Sequence, residues 1–341
     1  MLSKTTLLPT LLTLIIGAAG AALATLLAIP AAVLVGPALF LSLAGLAGLK
    51  LAIDPRLRDL AFVVLGLGIG SAFDPNAGAA ILRWPLAMLV LGVSLWVSML
   101  LCTQVLRRVF RFDAASATLA ATPGHLSFVM SIATSENKDV AQIGLVQSIR
   151  LLALTLIVPL AALIMGFPFS AVVSVGGAPM PFLILVLLAL AGAAVGVVLQ
   201  ALKLPAPLLL GGMVVSGASH VTGFVPGSVP PALLVPAFLV LGGLIGTRFS
   251  GISWGQFRNA SGAGVAVTLI ASFIAALAAL PIAWALEMPL VTVLAAFAPG
   301  GVETMIALGA ALGFDPSFVA ACHIMRLVIL TFLIPIAFAR V

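Results

Sequence analysis

Apolar residues in this chain fall into runs separated by short polar stretches. In the first half the runs lie at about 7–27, 31–50, 60–76, 84–106, 115–135 and 140–164; in the second at about 181–201, 206–223, 232–249, 263–286, 290–312 and 317–339. About 20 apolar residues suffice for a helix to cross a bilayer, so the pattern predicts an all-α integral membrane protein. The stretches between are marked by Gly, Pro, Asn and Asp, as in Asp74-Pro75-Asn76-Ala77-Gly78.

Two runs are broken from within. Ala298-Pro299-Gly300-Gly301-Val302-Glu303-Thr304-Met305 interrupts one, and Thr122-Pro123-Gly124-His125-Leu126-Ser127 interrupts the other, with Pro123 and Pro299 176 positions apart. The same offset maps Asp139 onto Asp315, Arg150 onto Arg326, Thr155 onto Thr331 and Pro159 onto Pro335. Ile29-Pro30 matches Leu204-Pro205, Ala61-Phe62 matches Ala237-Phe238, and Gly66 and Gly70 match Gly242 and Gly246. Self-similarity at a fixed offset is the mark of a duplicated unit. Residues 1–165 are therefore expected to form a first transmembrane repeat and 166–341 a second. The paired glycines are expected to serve close helix packing, as small residues do in lipid.

Composition removes the soluble alternatives. Hydrophobic residues make up 63% of the chain and charged ones 7%, where a soluble domain is about a quarter charged; mean hydropathy is +1.35. The net charge of +6 comes from residues scattered over short loops, so no nucleic acid partner is expected. Cys102 and Cys322 sit in apolar runs and read as small buried hydrophobes. There is no CxxC or Cys/His ligand spacing, so neither metal nor cofactor is expected. Lys4 followed by the run 7–27 has the outline of a signal peptide. Its repeat partner, 182–201, is internal, and Gly17-Ala18-Ala19 matches Gly192-Ala193-Ala194, so a retained helix is expected.

Charge also bears on topology, because Lys and Arg in short loops favour the cytoplasm. With Lys4 inside and six crossings per half, Lys50, Arg56, Arg58, Arg107, Arg108, Arg111 and Arg340 also fall inside, and Arg83, Lys138, Lys203, Arg248 and Arg258 outside. If the fifth run of each half instead dips in and returns, only Arg83 remains outside. The expected fold is thus two inverted repeats, each with about five membrane crossings plus a re-entrant or broken helix with a Pro-Gly tip. Backbone interrupted at membrane depth requires protein or a water-filled cavity around it. Half-helices starting there aim positive N-termini at the midplane, an arrangement found in secondary transporters with inverted repeats.

Arg150 and Arg326 fall about ten residues into the sixth helices, near the bilayer centre, where an unpaired arginine is costly. They read either as a structural ion pair or carbonyl cap that holds the broken helices, or as a cationic lining for an anionic solute. Glu303 follows the second tip and suits a helix N-terminus; it is equally a candidate for proton or cation coupling, or for the salt-bridge partner of Arg150 or Arg326, with Thr304 beside it. Its repeat mate is Ser127. His323 lies one turn before Arg326, as Gln147 does before Arg150, which suggests a polar seam. His125 stands where the second tip has Gly301, a hydrogen-bonded tip or a pH-sensitive gate. Asp139 and Asp315 read as N-caps, His220 and the four tryptophans as interfacial groups. No nucleophile elbow, phosphate loop, HExxH or carboxylate pair appears, so no enzyme is expected.

The two Pro-Gly tips, each followed by an Asp…Arg…Pro segment, resemble the AbrB-type bacterial membrane family, whose signature is a duplicated transmembrane module. The likeness covers essentially the whole chain and is sharpest at 120–160 and 296–336. Names used in that family imply a regulator of gene expression or a membrane (ammonia) monooxygenase, and both stay open beside the reading from residues.

That reading is a multi-pass inner-membrane protein of a bacterium with a cytoplasmic N-terminus, acting as a secondary transporter of a small, anionic solute. The expected substrate-binding residues are Gly124, His125, Ser127, Gln147, Arg150, Gly300, Gly301, Thr304 and Arg326, with Glu303 and His323 for ion coupling and Pro123 and Pro299 as helix breaks. The expected partners are the lipid bilayer, the solute, a coupling proton or cation, and a second copy in a homodimer.

Overall fold

A computed structural model describes residues 4–73, 84–124, 126–166, 178–202, 204 and 206–338; the side chains of residues 4–6 and 127 lie outside the description. Arg83, Lys203, Pro205, Arg340, His125 and the loop 74–78, all used above, are likewise outside the described residues. The elements are α1 (Lys4–Leu26), α2 (Ala32–Leu46), α3 (Pro55–Gly70), α4 (Trp84–Arg108), α5 (Ala114–Ala121), α6 (Leu126–Ser135) and α7 (Val140–Ile164). They continue with α8 (Phe182–Ala201), α9 (Pro207–Val221), α10 (Pro231–Gly246) and its 3₁₀ extension Thr247–Phe249, α11 (Trp254–Leu286), α12 (Leu290–Phe297), α13 (Val302–Ala311) and α14 (Pro316–Phe338). No named strand occurs among the described residues.

Among the described residues seven helices are long and apolar enough to cross a membrane: α1, α4, α7, α8, α10 with its extension, α11 and α14. Their outward faces carry bare apolar side chains, as at Leu26, Phe182 and Trp284, which fits a lipid surround. The apolar α2, α9 and α13 are shorter. Helix α2 stops at Leu46, short of the run's end at 50, because Gly48 takes φ +92° while Gly48 N and Leu49 N turn back to the carbonyls of Gly45 and Ala44. Two helices start earlier than the apolar pattern alone predicts, and in each the reason is a cap. Asp54 accepts from Arg56 N with Pro55 in the first turn of α3. Ser253 and Gln256 form a capping box that opens the 33-residue α11. Asp139 and Asp315 accept from Gln142 N and Ser317 N, as caps should.

Two compact units result, and both draw on both halves of the chain. The first comprises Met1–Ile81, Pro159–Gly251 and Ile306–Ser317; the second comprises Leu82–Val158, Ile252–Met305 and Phe318–Val341. In the first unit α1 packs on α2 and α8 on α9, while α3 packs on α9 and α8, and α10 on α2 and α1. Each of these contacts has a counterpart between helices about 176 positions away. Glycine makes these approaches possible: a Cβ at Gly66 would run into the Leu209 carbonyl, and one at Gly242 into the Leu34 carbonyl. His220 closes one end of this unit, its Nδ1 2.7 Å from Ser216 O and its Nε2 2.9 Å from Gly227 O.

In the second unit α4 lies against α11 and α5, and α11 against α12. Cys102 is buried on α4 with Sγ 3.8 Å from Val267 O. The paired elements α5 and α6 turn back on themselves. Asp113, which caps α5, and Lys138, just past α6, form an ion pair at 3.0 Å. A continuous helix would separate these residues by about 38 Å, so the chain reverses at the interruption between Ala121 and Leu126.

Candidate functional site

The break that follows α5 exposes carbonyls that have no partner within the helix. The next long helix of the same half supplies one. Arg150 on α7 reaches back to Thr122 O at 3.0 Å, and Gln147, one turn earlier on the same face, donates to Leu119 O at 3.1 Å. The second half repeats the device: Arg326 on α14 donates to Ala296 O at 3.1 Å, at the end of α12. A guanidinium at a helix C-terminus also meets the negative end of the macrodipole. Thr155 and Thr331 then bond back to Leu151 O and Leu327 O, both at 2.8 Å, four residues before the helix prolines Pro159 and Pro335.

The two breaks touch. The position of a Cβ on Gly124 lies 3.8 Å from Leu327 Cδ2 and 4.0 Å from Gly300 O, and one on Gly301 would lie 2.9 Å from Leu151 Cδ1. Leu151 and Leu327 stand 176 positions apart, each directly following its arginine. Each break is thus packed against the arginine-bearing helix of the other half. Gly124 itself has φ +92°, a conformation that needs glycine.

Both arginines are buried, at 3% and 1% exposure, as are Gln147, Thr304 and His323. Arg150 Nε, Arg326 Nε and Arg326 Nη1 have no hydrogen-bond partner. Among the described residues the ion pairs are Arg58–Asp59 and Lys138–Asp113; neither buried arginine meets a carboxylate. The two guanidiniums stand close enough to act on each other. Glu303 lies half-buried in the first turn of α13, and Thr304 Oγ1 is 3.5 Å from the Cβ position of Gly301.

Arg150, Arg326, Gln147, His323, Glu303, Thr304, Pro123, Gly124, Pro299, Gly300 and Gly301 all belong to the second compact unit. His125 and the side chain of Ser127 lie outside the described residues. Of the structural alternatives left open for the arginines, the carbonyl cap is the one observed among the described residues, and the ion pair, with Glu303 or otherwise, is not. What the sequence did not show is which carbonyls are capped, or that Cys102 and Cys322 lie within electrostatic reach of Arg150 and Arg326 respectively. Cys322 could have been found, standing four residues before Arg326; nothing in the spacing marks Cys102. A surface cavity of about 180 Å³, lined by Asp139, Gln142, Gln256 and Asn259 among others, opens at the start of α7. Along the helix axis it is about 16 Å from Arg150. No three His, Cys, Asp or Glu side chains converge among the described residues as metal ligands would.

A family model described as transition state regulatory protein AbrB matches residues 33–341. The chain belongs to the AbrB family. Both breaks and both buried arginines fall within the matched region. A relative in Bacillus subtilis (strain 168), named "Uncharacterized protein YhjN", is 26% identical over 305 residues, covering 83% of this chain and 78% of the relative. No solved structure matches this AbrB-family chain.

Proposed function

We propose that this AbrB-family protein is a secondary transporter of a small anionic solute, with its site where the two breaks meet. The observation that carries this reading is the pair of buried arginines with no carboxylate partner among the described residues. The charge balance supports it. Two guanidiniums add two positive charges, the C-terminal dipoles of α5 and α12 offset about half a charge each, and the N-termini of α6 and α13 add about half each. Even with Glu303 ionised, about one positive charge is left over. An anion is the ligand that neutralises it, and the free arginine N–H groups are the donors it needs.

The backbone N–H groups near Gly124 and Gly301 would complete the cradle, whereas that of Gly300 is taken by Ala298 O at 2.8 Å. The charge distribution over the loops, the reversal between α5 and α6, and the reciprocal contacts within each unit support two inverted repeats in a bacterial inner membrane with the N-terminus inside. The test begins with thermal stabilisation of the purified protein by small carboxylates, phosphate, sulfate and amino acids. Uptake of the stabilising anion into proteoliposomes is then measured. Uptake should fall to background in the double variant Arg150→Ala/Arg326→Ala; uptake that survives both substitutions sinks the reading.

A further inference from the structure

The halves differ at one buried position that bears directly on an arginine. Where the first repeat has Gln147, the second has His323. Its ring is wholly buried, with Nδ1 2.9 Å from Val319 O. A carbonyl can only accept, so Nδ1 carries the hydrogen and the neutral ring keeps its lone pair on Nε2. That Nε2 is buried and makes no hydrogen bond of good geometry, while the backbone at Ala298, beside the break, also acts on the ring. A second proton would turn Nε2 into a donor, and the Ala298 carbonyl would become its acceptor.

We infer that His323 is the binding site of a co-transported proton, taken up together with the anion. This rests on the transporter reading above and adds the coupling ion and its residue. The linkage follows from charge. Among the charged groups, Arg326 on the same helix is the one that acts on the ring. Cys322 on α14 and Arg150 on α7 act on Arg326, and Cys102 on α4 acts on Arg150. Glu303 stands across the break, on the first turn of α13. An anion resting on Arg326 masks the cation that the protonated imidazole would face, so anion and proton favour each other's binding by the same factor. The interval in which an unperturbed histidine changes charge, between about pH 5 and 8, sets the pH range of the test.

The test uses isothermal titration of the full-length protein with sulfate, pyruvate and lactate, which stay ionised in that pH range. Titrations in two buffers of different ionisation enthalpy count the protons bound. The wild type should take up about one proton per anion, so that apparent affinity rises about tenfold for each unit the pH falls. His323→Gln, which places in the second half the residue the first already carries, should bind the anion with no proton uptake and a flat pH profile. Glu303→Gln should retain the uptake.

Anion binding to the wild type without proton uptake overturns the inference and leaves the transporter standing; that measurement needs no variant to fold. Uptake that persists in His323→Gln, or vanishes in Glu303→Gln while remaining in His323→Gln, overturns it too. If none of the three anions binds and none stabilises the protein in the wider screen, the transporter reading falls and the inference with it.

Discussion

Gly124 and Gly300, 176 residues apart in sequence, meet in space: the Cβ position of the first lies 4.0 Å from the carbonyl oxygen of the second. Between them the paired halves bring two helix C-termini, two helix N-termini and two guanidiniums into one compact unit. Polar backbone of this kind is expensive in hydrocarbon, and each arginine lowers that cost by satisfying a carbonyl at the end of a short helix. On the proposed function, the structural and the ligand-binding roles would fall on the same two side chains. One N–H of each holds a break, while Arg150 Nε, Arg326 Nε and Arg326 Nη1 have no partner.

The left-handed backbone at Gly124 makes the first break sensitive to a single methyl group. Gly124→Ala should cost about 1–2 kcal/mol for the forced positive φ. Gly301 has no such φ, and its Cβ would press on the flexible Leu151 Cδ1 at 2.9 Å. Thermal unfolding of the two alanine variants should therefore show a clear fall for Gly124→Ala and a smaller one for Gly301→Ala. Equal shifts would mean that backbone strain is not what glycine relieves there.

The Asp113–Lys138 clamp gives a pH signature. Burial raises the Asp113 carboxyl, but hydrogen bonds from Ser116 and the Lys138 ammonium outweigh it and hold the group down to about 2. A carboxyl depressed in the fold stabilises above its unfolded value, near 3.8, and that stabilisation is lost as pH falls towards about 2. Asp113→Asn should thus lower the unfolding temperature modestly and evenly from pH 5 to 8. The difference from wild type should shrink below about pH 4. Exposed pairs are worth about 0.2–1 kcal/mol, and the effect should weaken in high salt.

The reversal of α5 and α6 predicts which surface each end reaches. Cysteines at Asp113→Cys and Lys138→Cys should react with a membrane-impermeant maleimide from the same side, which is also the side that labels Arg258→Cys. Glu287→Cys should label from the opposite side. The native Cys102 and Cys322 are buried, so background is low. Labelling of positions 113 and 138 from opposite sides would contradict the hairpin.

Much of this architecture was legible because its causes are local. Apolar run lengths located the long helices, Asp139 and Asp315 announced two helix starts, and Pro-Gly marked both breaks. Helix α2 ends before its apolar run does because Gly48 turns the chain, and hydrophobicity is blind to that. The arginines stood out because charge is rare in apolar runs. Their partners did not, since Thr122 O and Ala296 O are backbone atoms that any sequence would supply. Likewise, the reach of Cys102 to Arg150 comes from α4 lying beside the break, a tertiary fact with no spacing to betray it.

The pairing of positions 176 apart can also be tested in the other unit, which holds neither Arg150 nor Arg326. At Gly66 an added Cβ meets the Leu209 carbonyl, and at the mate Gly242 it meets the Leu34 carbonyl. Both obstacles are backbone, which cannot swing aside as a side chain can. Overpacking of this kind costs about 1–3 kcal/mol, so Gly66→Ala and Gly242→Ala should destabilise to similar extents. Gly251 is the control: nothing lies within 4 Å of its Cβ position, so Gly251→Ala should cost only the strain of its positive φ. Thermal unfolding and the yield of monodisperse protein in detergent measure both. If one member of the Gly66 and Gly242 pair tolerates alanine and the other does not, the two helix contacts are not equivalent, and reciprocal packing of the halves is wrong for that unit.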